Sequence, residues 1–167
     1  MFIRSILFAV FILNVFAVSA SNFIWYDGQQ AISYNVPRNT SPVVNIALDM
    51  FAEDMKLVTG LHPKPSKHPA IRIIQLDKAD NRTQKDLHVA GIPVNDLIRK
   101  QDAFYIAVTD NSPKQQLLIV GSNGRGTAYG ILELSRMAGV SPWVWWGDVT
   151  PRKQTQLTVA SDFKSMQ

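Results

Sequence analysis

The 167-residue sequence predicts an α/β fold of α+β character, a mixed β-sheet sandwiched by two main helices. Three observations carry this. Residues 71–76, 103–109 and 115–120 are β-branched or alternating apolar runs of strand length. Residues 41–60 and 127–138 instead repeat their apolar positions at three- and four-residue steps, the period of a helix. Finally, Asp110-Asn111-Ser112-Pro113 is turn chemistry joining two of the strands directly, so an antiparallel hairpin sits in a sheet whose other strands are separated by helices.

In chain order, Phe23, Ile24, Trp25 and Tyr26, then Ala31, Ile32 and Tyr34, read as two short strands around the turn dipeptide Asp27-Gly28. Residues 36–41 are loop. Ser41 and Pro42 open the first helix as its cap and first helical residue. Its stripe is Val44, Ala47, Leu48, Phe51, Met55 and Val58, with Asp49, Glu53, Asp54 and Lys56 expected in water and Gly60 as a left-handed end. Three prolines between positions 61 and 69 exclude helix there. Residues 77–100 are polar and weakly periodic, a loop carrying short helices near 84–89 and 94–99. The strand 103–109 places Phe104, Ile106 and Val108 on one face and Tyr105 and Ala107 on the other. The second helix directs Ala128, Ile131, Leu132 and Ser135 inward and closes at Gly139, and residues 156–160 form a last short strand.

Residues 1–20 read as an export leader, with Arg4 in a short positive start, an apolar run over 5–18 and the small-residue pattern Val18-Ser19-Ala20. The expected location is periplasmic or extracellular, with no membrane attachment after cleavage. The formal net charge is +4, and loss of Arg4 with the leader leaves +3. No lysine/arginine cluster concentrates it, which argues against a nucleic-acid partner. The sequence has no cysteine, so no disulfide or thiolate metal site supports the fold. The expected division is a leader at 1–20, an α/β domain at 21–152 and a C-terminal segment at 153–167.

Chemistry concentrates in residues 117–151. Gly121-Ser122-Asn123-Gly124-Arg125-Gly126 follows a strand and opens a helix, where free backbone amides favour anions. Its spacing is neither the dinucleotide fingerprint nor a P-loop, so it reads as a tight strand-to-helix turn whose glycines permit positive φ. Trp143, Trp145 and Trp146 are either a stacking platform for sugar or a packing anchor against another module, and Asp148 beside them is either a site carboxylate or a turn residue. Glycoside hydrolysis needs two positioned carboxylates. Asp49, Glu53, Asp54, Glu133 and Asp148 are the candidates; the first three lie on one solvated helix face and Glu133 on another, and no pair among the five forms such a team. His62, His68 and His88 lack ligand-like partners, so no metal or cofactor is expected. The candidate site is therefore one for substrate binding or interdomain contact, without catalytic residues: Ser122, Arg125, Trp143, Trp145, Trp146 and Asp148. Arg125 is its natural partner for a carboxylate, since a guanidinium pairs with one bidentately.

Leu118-Ile119-Val120-Gly121-Ser122, Arg125-Gly126-Thr127, Tyr129-Gly130-Ile131 and Leu134-Ser135 continue through Gly139-Val140-Ser141-Pro142-Trp143 to Trp145-Trp146 and Asp148-Val149. Together they resemble the N-terminal domain of glycoside hydrolase family 115, the xylan α-1,2-glucuronidases; Gly147 stands where that family would have alanine. The segments 31–32, 44–60, 71–76 and 103–108 occur in the same order. Similar accessory domains precede the barrels of family 67 glucuronidases and family 20 hexosaminidases.

The resemblance implies a hexosaminidase-type N-terminal accessory domain in front of a (β/α)8 barrel that holds the catalytic carboxylates. A barrel needs about 250 residues, more than follow position 152 here. The expectation is a chain truncated before its barrel, inactive alone and supporting glucuronoxylan degradation only in the full-length enzyme. Its expected partners are that missing barrel, a glucuronoxylan-derived oligosaccharide and, through an exposed interface, a second copy of the chain. The alternative is a free-standing secreted carbohydrate-binding protein that uses the tryptophan-rich segment.

Overall fold

The structure, a computed structural model, describes residues 21–110, 114–144, 146–147 and 149–167. The leader, the turn residues Asn111, Ser112 and Pro113, and the site candidates Trp145 and Asp148 lie outside the described residues.

Runs that are apolar on both faces belong in the middle of a covered sheet. β4 (Ile71–Gln75) and β6 (Gln116–Gly121) are such runs, and they pair in parallel from Ile71 opposite Leu117 to Gln75 opposite Gly121. β5 (Phe104–Thr109) flanks β6 in the expected antiparallel hairpin. On the other side β2 (Ser33–Asn35) and then the two-residue β3 (Lys64–Pro65) continue in parallel, and β8 (Lys164–Met166) closes the far edge against β5, antiparallel. The six-stranded order is β3-β2-β4-β6-β5-β8. β1 (Asn22–Tyr26) stands apart in an antiparallel pair with β7 (Leu157–Ala160). Residues 153–167, set apart from sequence as a C-terminal segment, carry the expected strand as β7 and add β8, pairing with β1 and β5. β8 is three residues long with only Ser165 partly buried, so it left no alternating signal.

The α/β class with a mixed sheet is the one expected, but the two long helices do not enclose the sheet. α1 (Pro42–Thr59) and α4 (Gly124–Met137) pack on each other over one face, and α2 (Asn81–Val89) and α3 (Val94–Ile98) cover the other. The alternation of β5 does the sorting. Phe104, Ile106 and Val108 join Phe51, Met55 and Ile131 in one core, while Tyr105 and Ala107 join Leu87 and Leu97 in the other. Each such large side chain, once buried, contributes about 1.5–3 kcal/mol. Among the described residues no helix is long and apolar enough to cross a membrane.

The helix ends position the site. Ser41 and Pro42 do open α1, but the Ser41 side chain makes no capping bond. Its hydroxyl accepts from Gln75 Nε2 (2.8 Å) and its amide donates to Gln75 Oε1 (2.7 Å), mooring the start of α1 to the end of β4. Gly60 ends α1 at φ 85°, its amide donating to the Lys56 carbonyl. α4 begins at Gly124 instead of Thr127, because Asn123 Oδ1 accepts from the Gly126 amide (2.9 Å) and draws the glycines into the first helical turn. Gly121, Gly124 and Gly126 are not among the glycines with positive φ, which corrects the reading of that turn. Closeness is what requires glycine here. A Cβ on Gly121 would lie 2.1 Å from the Thr127 nitrogen, and one on Gly126 would lie 2.2 Å from the Ala103 carbonyl oxygen.

Candidate functional site

The end of β6 and the start of α4 meet the residue before β5. Ser122 is buried there, its hydroxyl accepting from the Ala103 amide (3.0 Å), so it ties the turn to β5. Asp102 adopts a left-handed conformation at φ 56°. Asn123 Nδ2 donates to Asp102 Oδ1 (3.1 Å), and Arg125 Nη1 lies 3.3 Å from Asp102 Oδ2. Arg125 Nη2 also donates to the Tyr129 hydroxyl (3.2 Å). That hydrogen bond, with the charge of Asp102, raises the pKa of the guanidinium above its ordinary value. The arginine read as a partner for a ligand carboxylate therefore has a carboxylate of its own chain, at the exposed start of α4.

Trp143 lies in the short 3-10 turn Pro142–Val144, and its carbonyl accepts from the Trp146 and Gly147 amides at 3.2 and 2.7 Å. Trp143 is 66% exposed and Trp146 86%. An open groove of about 560 Å³ runs beside α4, and among its lining residues are Asp54, Asp102, Tyr129, Leu132, Ser135 and Trp146. Of the described site candidates, Trp146 borders this groove, whereas Ser122, Arg125 and Trp143 do not.

Asp54 is the residue that sequence reasoning misplaced. Expected in water, it is 4% exposed, under α4. The signal was there: it stands seven residues after Ala47 and three after Phe51, which puts it at the margin of the apolar stripe. Asp54 Oδ1 and Ser135 Oγ are both sealed from solvent without a hydrogen-bond partner among the described residues. Burial pushes the Asp54 carboxyl above its ordinary value, and the nearby Ser135 hydroxyl opposes that shift in part. The other groove carboxylates are engaged, Asp102 with Arg125 and Glu133 with Arg136 Nε at 2.7 Å. Glu53 and Asp49 remain exposed, as expected, with Glu53 4.0 Å from His62 Nδ1. Asp102 and Tyr129, which hold Arg125, were also missed. Tyr129 is four residues from Arg125 on the helix surface and was findable by spacing; Asp102 lies in a distant loop and was not.

No protein-family model matches the chain, and no curated protein does. Solved structures do. A family GH115 4-O-methyl-α-glucuronidase, BtGH115A, with specificity for decorated arabinogalactans, matches 87% of this chain at 32% identity with a TM-score of 0.73, and the match takes in 18% of that enzyme. CpGH84D matches over 87% of this chain and 22% of its own, at 13% identity and a TM-score of 0.52, which shows a shared fold alone. The chain spans about a fifth of the length of the proteins it matches. It resembles part of a family GH115 glucuronidase, in keeping with the motifs over 118–149, and is a glycoside hydrolase-related α/β domain.

Proposed function

We propose that this chain is a non-catalytic accessory domain of a GH115-like α-glucuronidase, exported by its leader and acting beside a barrel that carries the catalysis. The observation behind this reading is the coverage: nearly the whole domain matches less than a fifth of a much longer enzyme. A region of this size falls short of the roughly 250 residues of a (β/α)8 barrel. Asp102 and Glu133, the groove carboxylates with arginine partners, are not the free acid and base that glycoside hydrolysis requires. The substrates of the whole enzyme would be polysaccharides bearing glucuronic or 4-O-methyl-glucuronic acid, in glucuronoxylan or decorated arabinogalactan. Trp143 and Arg125, exposed and outside the groove, are the residues we assign to contact with the catalytic module. The exposed Trp143 side chain, left uncovered, is also a contact available to a second copy.

A graft tests the reading. Residues 21–167 replace the matching region of the GH115 enzyme, and release of 4-O-methyl-glucuronic acid is compared with the parent and with a deletion of that region. The folded chimera is expected within about tenfold of the parent rate, a barrier change of about 1.4 kcal/mol, with the deletion inactive and the isolated chain releasing nothing. Hydrolysis by the isolated chain, or a folded chimera as inactive as the deletion, overturns the proposal.

A further inference from the structure

We infer that the groove beside α4 is a binding site for a neutral saccharide, with Asp54 and Ser135 as its polar floor and Trp146 as its stacking wall. The inference does not depend on the accessory-domain reading, and it uses a different tryptophan from the one assigned to the catalytic module.

A buried carboxyl without a hydrogen-bond partner is costly, and native interiors leave few such groups. Asp54 is nine-tenths buried and its Oδ1 has no partner within hydrogen-bond distance among the described residues; the neighbouring Ser135 hydroxyl, equally buried, lies beyond that distance, although it is near enough to stabilise the ionised carboxyl in part. An apolar side chain in the seam between α1 and α4 would avoid that cost. Both residues line the groove, so a partner arriving from outside has a path to them. Their unpaired atoms are sealed in the free protein, so engaging them requires the two side chains to turn toward the groove.

The surroundings select the class of partner. Burial favours the neutral carboxyl of Asp54, which beside a hydroxyl suits the hydroxyl of a ligand better than a cation. Each oxygen of Asp102 and Glu133 already meets Asn123, Arg125 or Arg136, and the two arginines balance the charge, so what the groove offers a ligand is the second lone pair of each oxygen without a strong field of either sign. Trp146, 86% exposed, and Tyr129, 43% exposed, add aromatic surface on the same groove. Aromatic surface edged by paired donors and acceptors matches a sugar ring, which has apolar C–H faces and a rim of hydroxyls. The volume of about 560 Å³ falls in the range of small-ligand pockets.

The full chain is titrated with xylobiose, galactobiose and cellobiose into the millimolar range, following tryptophan fluorescence and amide NMR shifts, with ethanolamine as a cationic control. At least one disaccharide is expected to give a saturable change that maps to α1, α4 and Trp146. Trp146→Ala, at an exposed side chain, keeps the fold and weakens binding about tenfold or more. Asp54→Leu weakens binding equally while raising the melting temperature. No saturable change with any of the disaccharides overturns the site, and so does unchanged binding in both variants. Loss in the Trp146 variant alone overturns the role of Asp54, and saturation by ethanolamine in place of sugar overturns the ligand class.

Discussion

Asp54 is a charged residue by type that the fold treats as a core residue, and its titration is open to measurement. Burial lifts its carboxyl above the ordinary value of 3.8, with the Ser135 hydroxyl pulling the other way. The folded protein therefore holds this proton to higher pH than the unfolded chain does. Its contribution to stability is fully present below the unfolded value and is lost as pH rises through the folded one, when a charge must be carried in the seam. Asp54→Asn has no charge to acquire, so its melting temperature is expected to match wild type near pH 3.5 and to exceed it increasingly toward pH 7. The gain should be about 2–4 °C for each kcal/mol recovered. Parallel melting curves for the two proteins across that range would show that burial does not raise the carboxyl's pKa.

At the scale of elements, the start of α4 is a jam of three backbones. Gly121 at the end of β6, Gly126 in the first turn of α4 and Ala103 before β5 approach so closely that a methyl group has no space. The nearest atoms are backbone, which cannot swing aside as a side chain does. Gly126→Ala is expected to cost more than about 3 kcal/mol, the upper end of the overpacking range, read as a lower urea midpoint. Gly147→Ala serves as the control, since its Cβ would meet nothing nearer than 3.4 Å. Equal midpoints for the two variants would mean that the junction has slack. The same jam accounts for the local chemistry: with β6, α4 and the residues before β5 held together, Asp102 comes within reach of both Asn123 and Arg125.

For the whole molecule, the C-terminal residues matter more than their short strands suggest. β8 pairs with β5, placing Met166 opposite Tyr105 and Lys164 opposite Ala107, and Gln167 exchanges two backbone hydrogen bonds with Phe104 at 3.0 and 3.1 Å. Each such bond contributes about 0.5–1.5 kcal/mol. Without this strand β5 becomes an open edge, a template for pairing with another chain. Deleting residues 161–167 is expected to lower the melting temperature and to produce concentration-dependent association in size-exclusion chromatography. A monomer of unchanged stability would show that β5 needs no cover.

Elements whose burial follows a local period were legible in the amino-acid order. The stripe Val44, Ala47, Leu48, Phe51, Met55 and Val58 became the buried side of α1, and the alternation of β5 became the division between two cores. That order also determined the family resemblance, since the residues over 118–149 are dense in glycine and tryptophan, types that few sites accept interchangeably. The tertiary structure decided what depends on a distant neighbour. It laid α1 against α4 and so buried Asp54, set Asp102 against Arg125, gave the Ser41 hydroxyl to Gln75 and brought β8 to the edge of β5. Periodicity reports which face of an element is covered, because that repeats every few residues. It carries no information about which other element does the covering, and a single polar side chain at the margin of a stripe is buried or solvated by that choice alone.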